Sequence, residues 1–528
     1  MSELEAAGAL TRFILRRDRV RIAMWLVAFV VLVLTTAAAV KGLFPTQHDL
    51  DVAAAASEDN PVALAFNGPA LALNTVGGQV AFQLSSFGFL GAGLMGGLMM
   101  SRLTRGEEDS GRLELIRSMP VGRHAPLAAS AVVVGGMEVV LGVAVTVSLL
   151  AVGLPTVGSV VLGAGFTAVG LVFTSIAALL AQVAENPRVV SGSVGAVLGL
   201  SYVLRAIGDM GDGTVSWLSP IGWGQKARPY AGEQWWPLLF CVVVAGAIAL
   251  VAFRLATRRD FGAGLVPPRA GRPVAARSLL GPLRLAFRLQ RGVVLWWGVS
   301  IVALAVVYGS LANTIEDFVA DNDAVSDMIA RATGVSLVDS YLATSLLTTA
   351  LIASGCAVQV ILRLRSEETD GRAEPVLATA LSRSGWLSTH AGIAVGGTAL
   401  IVAMAGIGLG ATYGIVIGDA DQVPRLLAAA VAYLPAIAVV AGIAVALFGL
   451  LPRWASLAWV TVGVCFVLSF FGELVGLPSW VMGLSPFERT PLVPASDLDL
   501  VPLAVMTAIA GGLFVAGYAG FRHRDVPS

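Results

Sequence analysis

Twelve stretches of this chain run for about 20 residues with almost no charge, and that feature dictates a membrane fold. In lipid no water reaches the backbone, so such a stretch must satisfy its own N–H and C=O groups as an α-helix. The runs fall near 22–42, 77–100, 125–152, 157–183, 189–207 and 236–256, and then near 293–312, 341–363, 389–417, 424–449, 455–476 and 499–520. With 56% of its residues hydrophobic and 13% charged, the chain has too little polar surface for a soluble body. The expected fold is an all-α polytopic membrane protein with 12 transmembrane helices.

Charge orients the spans. The formal net charge is zero, so no basic field points to nucleic acid. With the N-terminus inside, about 27 of the 34 lysines and arginines fall on one side: the N-terminal arm, the 102–123 and 363–383 loops, the 257–283 segment and the tail. The other side is acidic in Glu316, Asp317, Asp321, Asp323 and Asp327. Both termini are therefore expected in the cytoplasm. Lys41 and Lys226 are the only lysines, and alanine and glycine abound, which suggests a high-GC bacterium and its cell membrane. No cleavage motif follows the basic N-terminal arm, so the first run reads as a retained span.

The chain repeats itself. At a constant offset of 260, Arg105, Glu107, Glu108, Gly111, Arg112, Glu114 and Arg123 fall on Arg365, Glu367, Glu368, Gly371, Arg372, Glu374 and Arg383 without a gap. Leu218-Ser219-Pro220 recurs as Leu484-Ser485-Pro486, Pro187-Arg188 as Pro452-Arg453, and Trp25 as Trp297. The reading is a six-helix half over 1–256, a cytoplasmic linker rich in Arg, Pro and Gly over 257–283, and a second six-helix half over 284–528. An even number of spans per half makes the halves parallel repeats.

The duplicated segment after each second span carries the densest charge. Its acids are expected to open a short interfacial helix, complementing the positive helix end, with Glu108–Arg112 and Glu368–Arg372 as i,i+4 pairs. One such helix facing only water is an ordinary feature; two copies with the same charges suggest a partner. RGEEDSGRLELIRSMPVGR, from Arg105, resembles the coupling-helix loop of ABC-2-type exporter permeases, in particular those of polyketide-antibiotic and multidrug exporters of high-GC Gram-positive bacteria. Trp217-Leu218-Ser219-Pro220-Ile221-Gly222-Trp223, with Arg228-Pro229-Tyr230 and Trp235-Trp236-Pro237, is similar to that group's signature before the sixth span. The second copy departs from it, with Pro375 expected to interrupt the helix and Ala380 in place of Pro120.

The resemblance implies that each loop docks on one subunit of a separate ABC ATPase homodimer, with Glu107, Glu108, Gly111, Arg112, Glu114, Glu367, Glu368, Gly371, Arg372 and Glu374 in the contact. The residues supply the complement to this. Neither lysine stands in a Gly-x-x-x-x-Gly-Lys-Ser/Thr setting, so this chain has no ATP site and no cofactor of its own, and ATP and Mg belong to the partner. The resemblance also implies short re-entrant helices over 209–235 and 477–498, near the exit of a hydrophobic or lipid-like substrate, which would place Trp217 and Trp223 on its path. An aromatic belt at the membrane surface explains the same tryptophans.

Glu138 stands in the middle of the third run, where an acid costs about 2.5–3.5 kcal/mol to insert, and its counterpart is Thr398. It suits a cationic substrate or a proton; it equally suits a protonated or hydrogen-bonded structural acid. His48, His124, His390 and His523 are scattered and read as solvated, and Cys241, Cys356 and Cys465 as small buried hydrophobes without metal-ligand spacing. Leu10–Arg17 and Leu283–Arg291 alternate apolar and basic residues as interfacial elbow helices do.

The leading expectation is thus an exporter permease without enzymatic activity, moving antibiotics, drugs or lipids. A drug/proton antiporter shares the parallel architecture, but the Gly-x-x-x-Asp-Arg-x-Gly-Arg type of loop is missing, and Glu138 is nearly alone as a central acid. A membrane enzyme would need paired acids near the interface; Asp419/Asp421 and Asp497/Asp499 form no recurrent constellation.

Overall fold

The computed structural model describes residues 3–58, 61–112, 120–259, 262–266, 274, 281–320, 337–471 and 477–524. Among the described residues every regular element is helical. Twelve helices among these residues are long and apolar enough to cross a membrane, and the chain is a multi-pass membrane protein. It divides into two compact units, Met1–Gly271 and Arg272–Ser528, a boundary inside the Arg/Pro/Gly-rich segment. The acids Asp321, Asp323 and Asp327 lie outside the described residues.

In the first unit the spans are Ala7–Leu43, Val76–Asp109, Ala125–Ala151, Thr156–Val183, Pro187–Asp209 and Trp236–Ala256; in the second they are Pro282–Ala312, Val338–Thr369, Arg383–Ile417, Gln422–Leu450, Pro452–Phe470 and Leu500–His523. Burial divides each set in the same way. The second and fourth spans have 72% and 72% of their apolar windows buried in the first unit and 78% and 67% in the second, against 17–50% for the others. Spans two and four therefore form the centre of each unit.

Small residues let these helices approach, as expected where lipid removes any hydrophobic drive between them. In the first unit Gly142 and Gly163 each face the other's carbonyl, and Thr146 Oγ1 donates to Gly142 O at 2.9 Å. In the second unit Gly406 lies against the Leu426 carbonyl, and Gly449 against Gly517.

Two expectations change here. The elbow segments are continuous with the first span of each unit, in helices Ala7–Leu43 and Pro282–Ala320, because no glycine or proline stands between Ala9 and Lys41 to break the first. Its Asp18 is buried and held by Arg17, Arg21 and Arg102 at 2.8–3.0 Å. The fourth span of the second unit is broken at Ala432–Tyr433, just before Pro435, whose missing N–H cannot continue the ladder.

Candidate functional site: the duplicated corner and the buried acid

Each second span ends in the same way. In the first unit a π-helical turn, Arg102–Gly106, leads into a last α-helical turn, Glu107–Asp109; in the second the α-helix runs on to Thr369. Both stop at a glycine with left-handed backbone, Gly111 (φ 69°) and Gly371 (φ 68°). The N–H groups of these glycines donate to the carbonyls of Glu108 and Glu368 at 3.1 Å. A side chain is costly in that conformation, which is why glycine ends helices in this manner.

The acids therefore close a helix instead of opening one, contrary to the sequence reading. At a helix C-terminus a carboxylate meets the negative end of the dipole and needs cations nearby. Arginines supply them in both units. Glu107 pairs with Arg17 at 2.9 Å and Arg112 at 3.9 Å, and Glu367 with Arg363 at 2.6 Å and Arg372 at 3.0 Å. Glu108 accepts from Arg105 at 2.8 Å and from Arg259 at 2.5 and 3.0 Å. Glu368 accepts from Arg365 at 3.3 Å and from Arg524. The expected Glu108–Arg112 and Glu368–Arg372 pairs do not form: the left-handed glycine turns the chain, so the next arginine meets the acid five residues back.

These four carboxylates are nearly sealed, with side chains 10%, 7%, 10% and 0% exposed for Glu107, Glu108, Glu367 and Glu368. The corner leaves Asp109, Arg112, Asp370, Arg372 and Glu374 in the open. Glu374 stands in the first turn of a short helix, Ala373–Leu377. Pro375 shares that turn and does not interrupt it, since an N–H there has no partner to lose. Glu114 lies outside the described residues.

Arg123 and Arg383, at the start of each third span, reach the end of the sixth. Arg123 donates to Thr257 O and Arg383 to Arg524 O, both at 2.6 Å.

Glu138 is fully buried in the first unit. The carboxyl group has no hydrogen-bond partner among the described residues, and Thr174 Oγ1 beside it has none either. The acid fits only because its neighbours are glycines: a Cβ on Gly170 or on Gly96 would collide with the carboxyl group or with Thr174. Thr167 Oγ1 donates to the Glu138 carbonyl at 2.9 Å and lines a groove of about 560 Å³ between spans three, four and six, walled by Val139, Val143, Ala164 and Leu238. The second unit lacks this arrangement. Cys356 replaces Gly96 and lies against Thr398, which replaces Glu138.

Trp217 and Trp223 belong to a separate neighbourhood at the opposite end from the arginine-rich corner. They sit on two short helices, Val215–Leu218 and Pro220–Gln225; a third, Ser479–Met482, is its analogue in the second unit. Trp217 stacks on Trp236 with centroids 5.1 Å apart, while Trp223 donates to Trp217 O at 2.6 Å and meets the edge of Phe240. Gln225 anchors the second helix to the second span, donating to Ser85 Oγ, Ser86 Oγ and Asn67 O at 2.8–3.0 Å.

Residues 279–522 match the family model described as the C-terminal domain of the multidrug efflux system permease Rv1217c. The chain is 38% identical over 520 residues to the multidrug efflux system permease protein Rv1217c of Mycobacterium tuberculosis, covering 98% of this chain and 94% of that one. This chain belongs to that permease family.

Within the permease, two sets of residues escaped the sequence reading. The first is Arg259 and Arg524, which close on Glu108 and Glu368; their signal was an Arg-Asp dipeptide after each sixth span at the offset of 265. The second is Arg205, fully buried, which donates to Leu64 O and Phe66 O at 3.2 Å and faces Asp209 at 3.5 Å. Its signal was a lone arginine near the end of an apolar run.

The histidines also need correction. His124 is buried against Phe253, and His390 lies buried inside the third span of the second unit with Gln290 Nε2 at 2.6 Å from its Nδ1. Only His48 and His523 face outward. Cys241, Cys356 and Cys465 are free and buried. Asp419 and Asp499 do structural work, accepting from the backbone N–H groups of Asp421 and Val501.

Proposed function

We propose that the permease is the membrane subunit of an ATP-binding-cassette exporter that moves hydrophobic or amphiphilic drugs, antibiotics or lipids out of the cell, with both termini in the cytoplasm. The observation that carries this is the duplicated corner: a glycine-ended second span, braced by buried ion pairs, presenting an exposed charged turn once in each half. A rigid post with a polar tip suits a partner present in two copies, and the reading assigns that place to a homodimer of a separate ABC ATPase holding ATP and Mg. The glutamates brace the post, and Asp109, Arg112, Asp370, Arg372 and Glu374 offer the surface. The relative from Mycobacterium tuberculosis, named for multidrug efflux, supports the same class of cargo.

Affinity purification of the tagged chain from its native membrane tests the reading. The expected result is a P-loop ATPase at about two copies per chain. Its absence, with efflux that collapses when the proton gradient is removed, would assign the permease to proton antiport, and the unpaired Glu138 would become its first candidate carrier.

A further inference from the structure

We propose that Arg259 and Arg524 are positioning residues that latch the end of each sixth span to the end of the second, so that force on the corner moves the two spans as one body. This inference rests on the exporter reading and adds to it the route by which the corner's displacement enters the membrane.

The latch is present twice and is assembled in the same way. Arg259 grips Glu108 with both terminal nitrogens, donates through Nε to Gln182 Oε1 at 2.8 Å, and donates to Ala263 O at 3.1 Å. Gln182 belongs to the fourth span, so one guanidinium ties spans two, four and six. In the second unit Arg524 grips Glu368, and its guanidinium stands over the rings of Phe448, on the fourth span, and Phe521, on the sixth, at 4.8 and 5.1 Å. The third contact has thus changed from a hydrogen bond to a cation–π contact, while the arginine, the glutamate and the three spans joined are the same. A merely local salt bridge gives no reason for that retention.

Second ties run alongside the first. Arg105, itself buried, bonds Glu108, Ala181 O and Ala263 O, and the backbone of Leu265 and Val266 donates to Gln182 O and Val183 O at 3.1 Å. Arg123 and Arg383 bind the sixth-span ends from the third. Charge-assisted bidentate bonds with little water access are the strongest ties a protein surface offers, and Arg259 places one directly behind the turn at Gly111. Motion imposed on that turn accordingly reaches the sixth span through Glu108 and Arg259.

The test uses the full chain with its co-purified ATPase in proteoliposomes, comparing R259Q, R524Q, their combination and R259K. Export of a fluorescent amphiphile and ATP hydrolysis are measured on the same vesicles. The glutamines are expected to keep ATPase association and hydrolysis while export per ATP falls at least tenfold in the combined variant; R259K, which keeps the charge but loses the bidentate grip and the bond to Gln182, should lie between the parent and R259Q. Export per ATP unchanged in the combined variant would overturn the latch and leave the exporter reading intact. Absence of an ATPase from the parent sample would overturn both.

Should R259Q not accumulate, spin labels at exposed Asp109 and Arg258 in the otherwise unaltered chain give a second measurement. One distance population that does not shift between nucleotide-free and ATP-bound states supports the latch, and separation of the two labels on ATP binding rejects it.

Discussion

Tyr230 has a left-handed backbone, with φ 64°, and still brings its hydroxyl within 2.9 Å of Ser159 Oγ. Its ring fills the space in which a Cβ on Gly77 or Gly158 would stand, so the loop before the sixth span is pinned to spans two and four by one strained residue. Tyr230→Phe keeps the ring and loses one hydrogen bond, and should cost about 1 kcal/mol. Gly158→Ala forces the ring out and should cost about 1–3 kcal/mol. Thermal unfolding in detergent ranks the two. Burial pushes the Tyr230 phenol up to about 12; a raised phenol favours the neutral fold, so this contribution is whole below about pH 10 and fades as pH rises towards 12.

Glu138 and its glycines make a prediction about packing and another about transport. Gly170→Ala should destabilise the permease by about 1–3 kcal/mol through collision with the carboxyl group, and Glu138→Ala in the same chain should relieve most of that cost. A double-mutant cycle in thermal unfolding reads the coupling; additive costs would show that the cradle does not matter. Glu138→Gln preserves the volume, and a selective loss of resistance to cationic drugs, with neutral drugs unaffected, is the expected profile. Equal resistance to both classes would make Glu138 structural.

Gly111 and Gly371 separate backbone from contact. A Cβ at either position meets nothing within 4 Å, so alanine there costs only conformational strain, about 1 kcal/mol, and asparagine less. Export should fall much further than stability in Gly111→Ala, because the turn that presents Arg112 loses its direction. Matched losses of melting temperature and export would show that the glycine only ends a helix.

Much of this architecture was legible in the sequence because lipid leaves a chain few options: apolar runs of spanning length must be helices, and the repeat follows from charges that line up without a gap. The corner was legible as a place but not as a geometry. Glu107 and Glu108 read as a helix start because acids favour that end, and nothing local revealed that the second span extends to reach them or that Gly111 is left-handed. Their partners Arg17 and Arg259 lie 90 and 151 residues away, beyond any pattern of neighbouring residues. His390 was misread because it stands at the very start of the run near 389–417, whereas the helix begins earlier, at Arg383, and buries it. The cradle of Glu138 depends on glycines of two other helices, and glycine in a span is too common to single them out.

Charge reversal at the corner now divides into two experiments with opposite expectations. Lysine at Glu107 or Glu108 would place a cation among Arg17, Arg105 and Arg259 in a site sealed from water; breaking a buried pair costs about 3–5 kcal/mol, so such variants should accumulate poorly and report on folding. Glu374 is exposed, stands in the first turn of Ala373–Leu377 and favours that turn by about 0.3–1 kcal/mol at most. Glu374→Lys should therefore leave expression and melting temperature nearly unchanged. If the exposed turn is the docking surface, the same variant should reduce the ATPase recovered per chain on affinity purification and restore salt-sensitive binding when a compensating acid is placed on the partner. Full ATPase recovery with Glu374→Lys and with Arg112→Glu together would place the docking surface elsewhere on the permease.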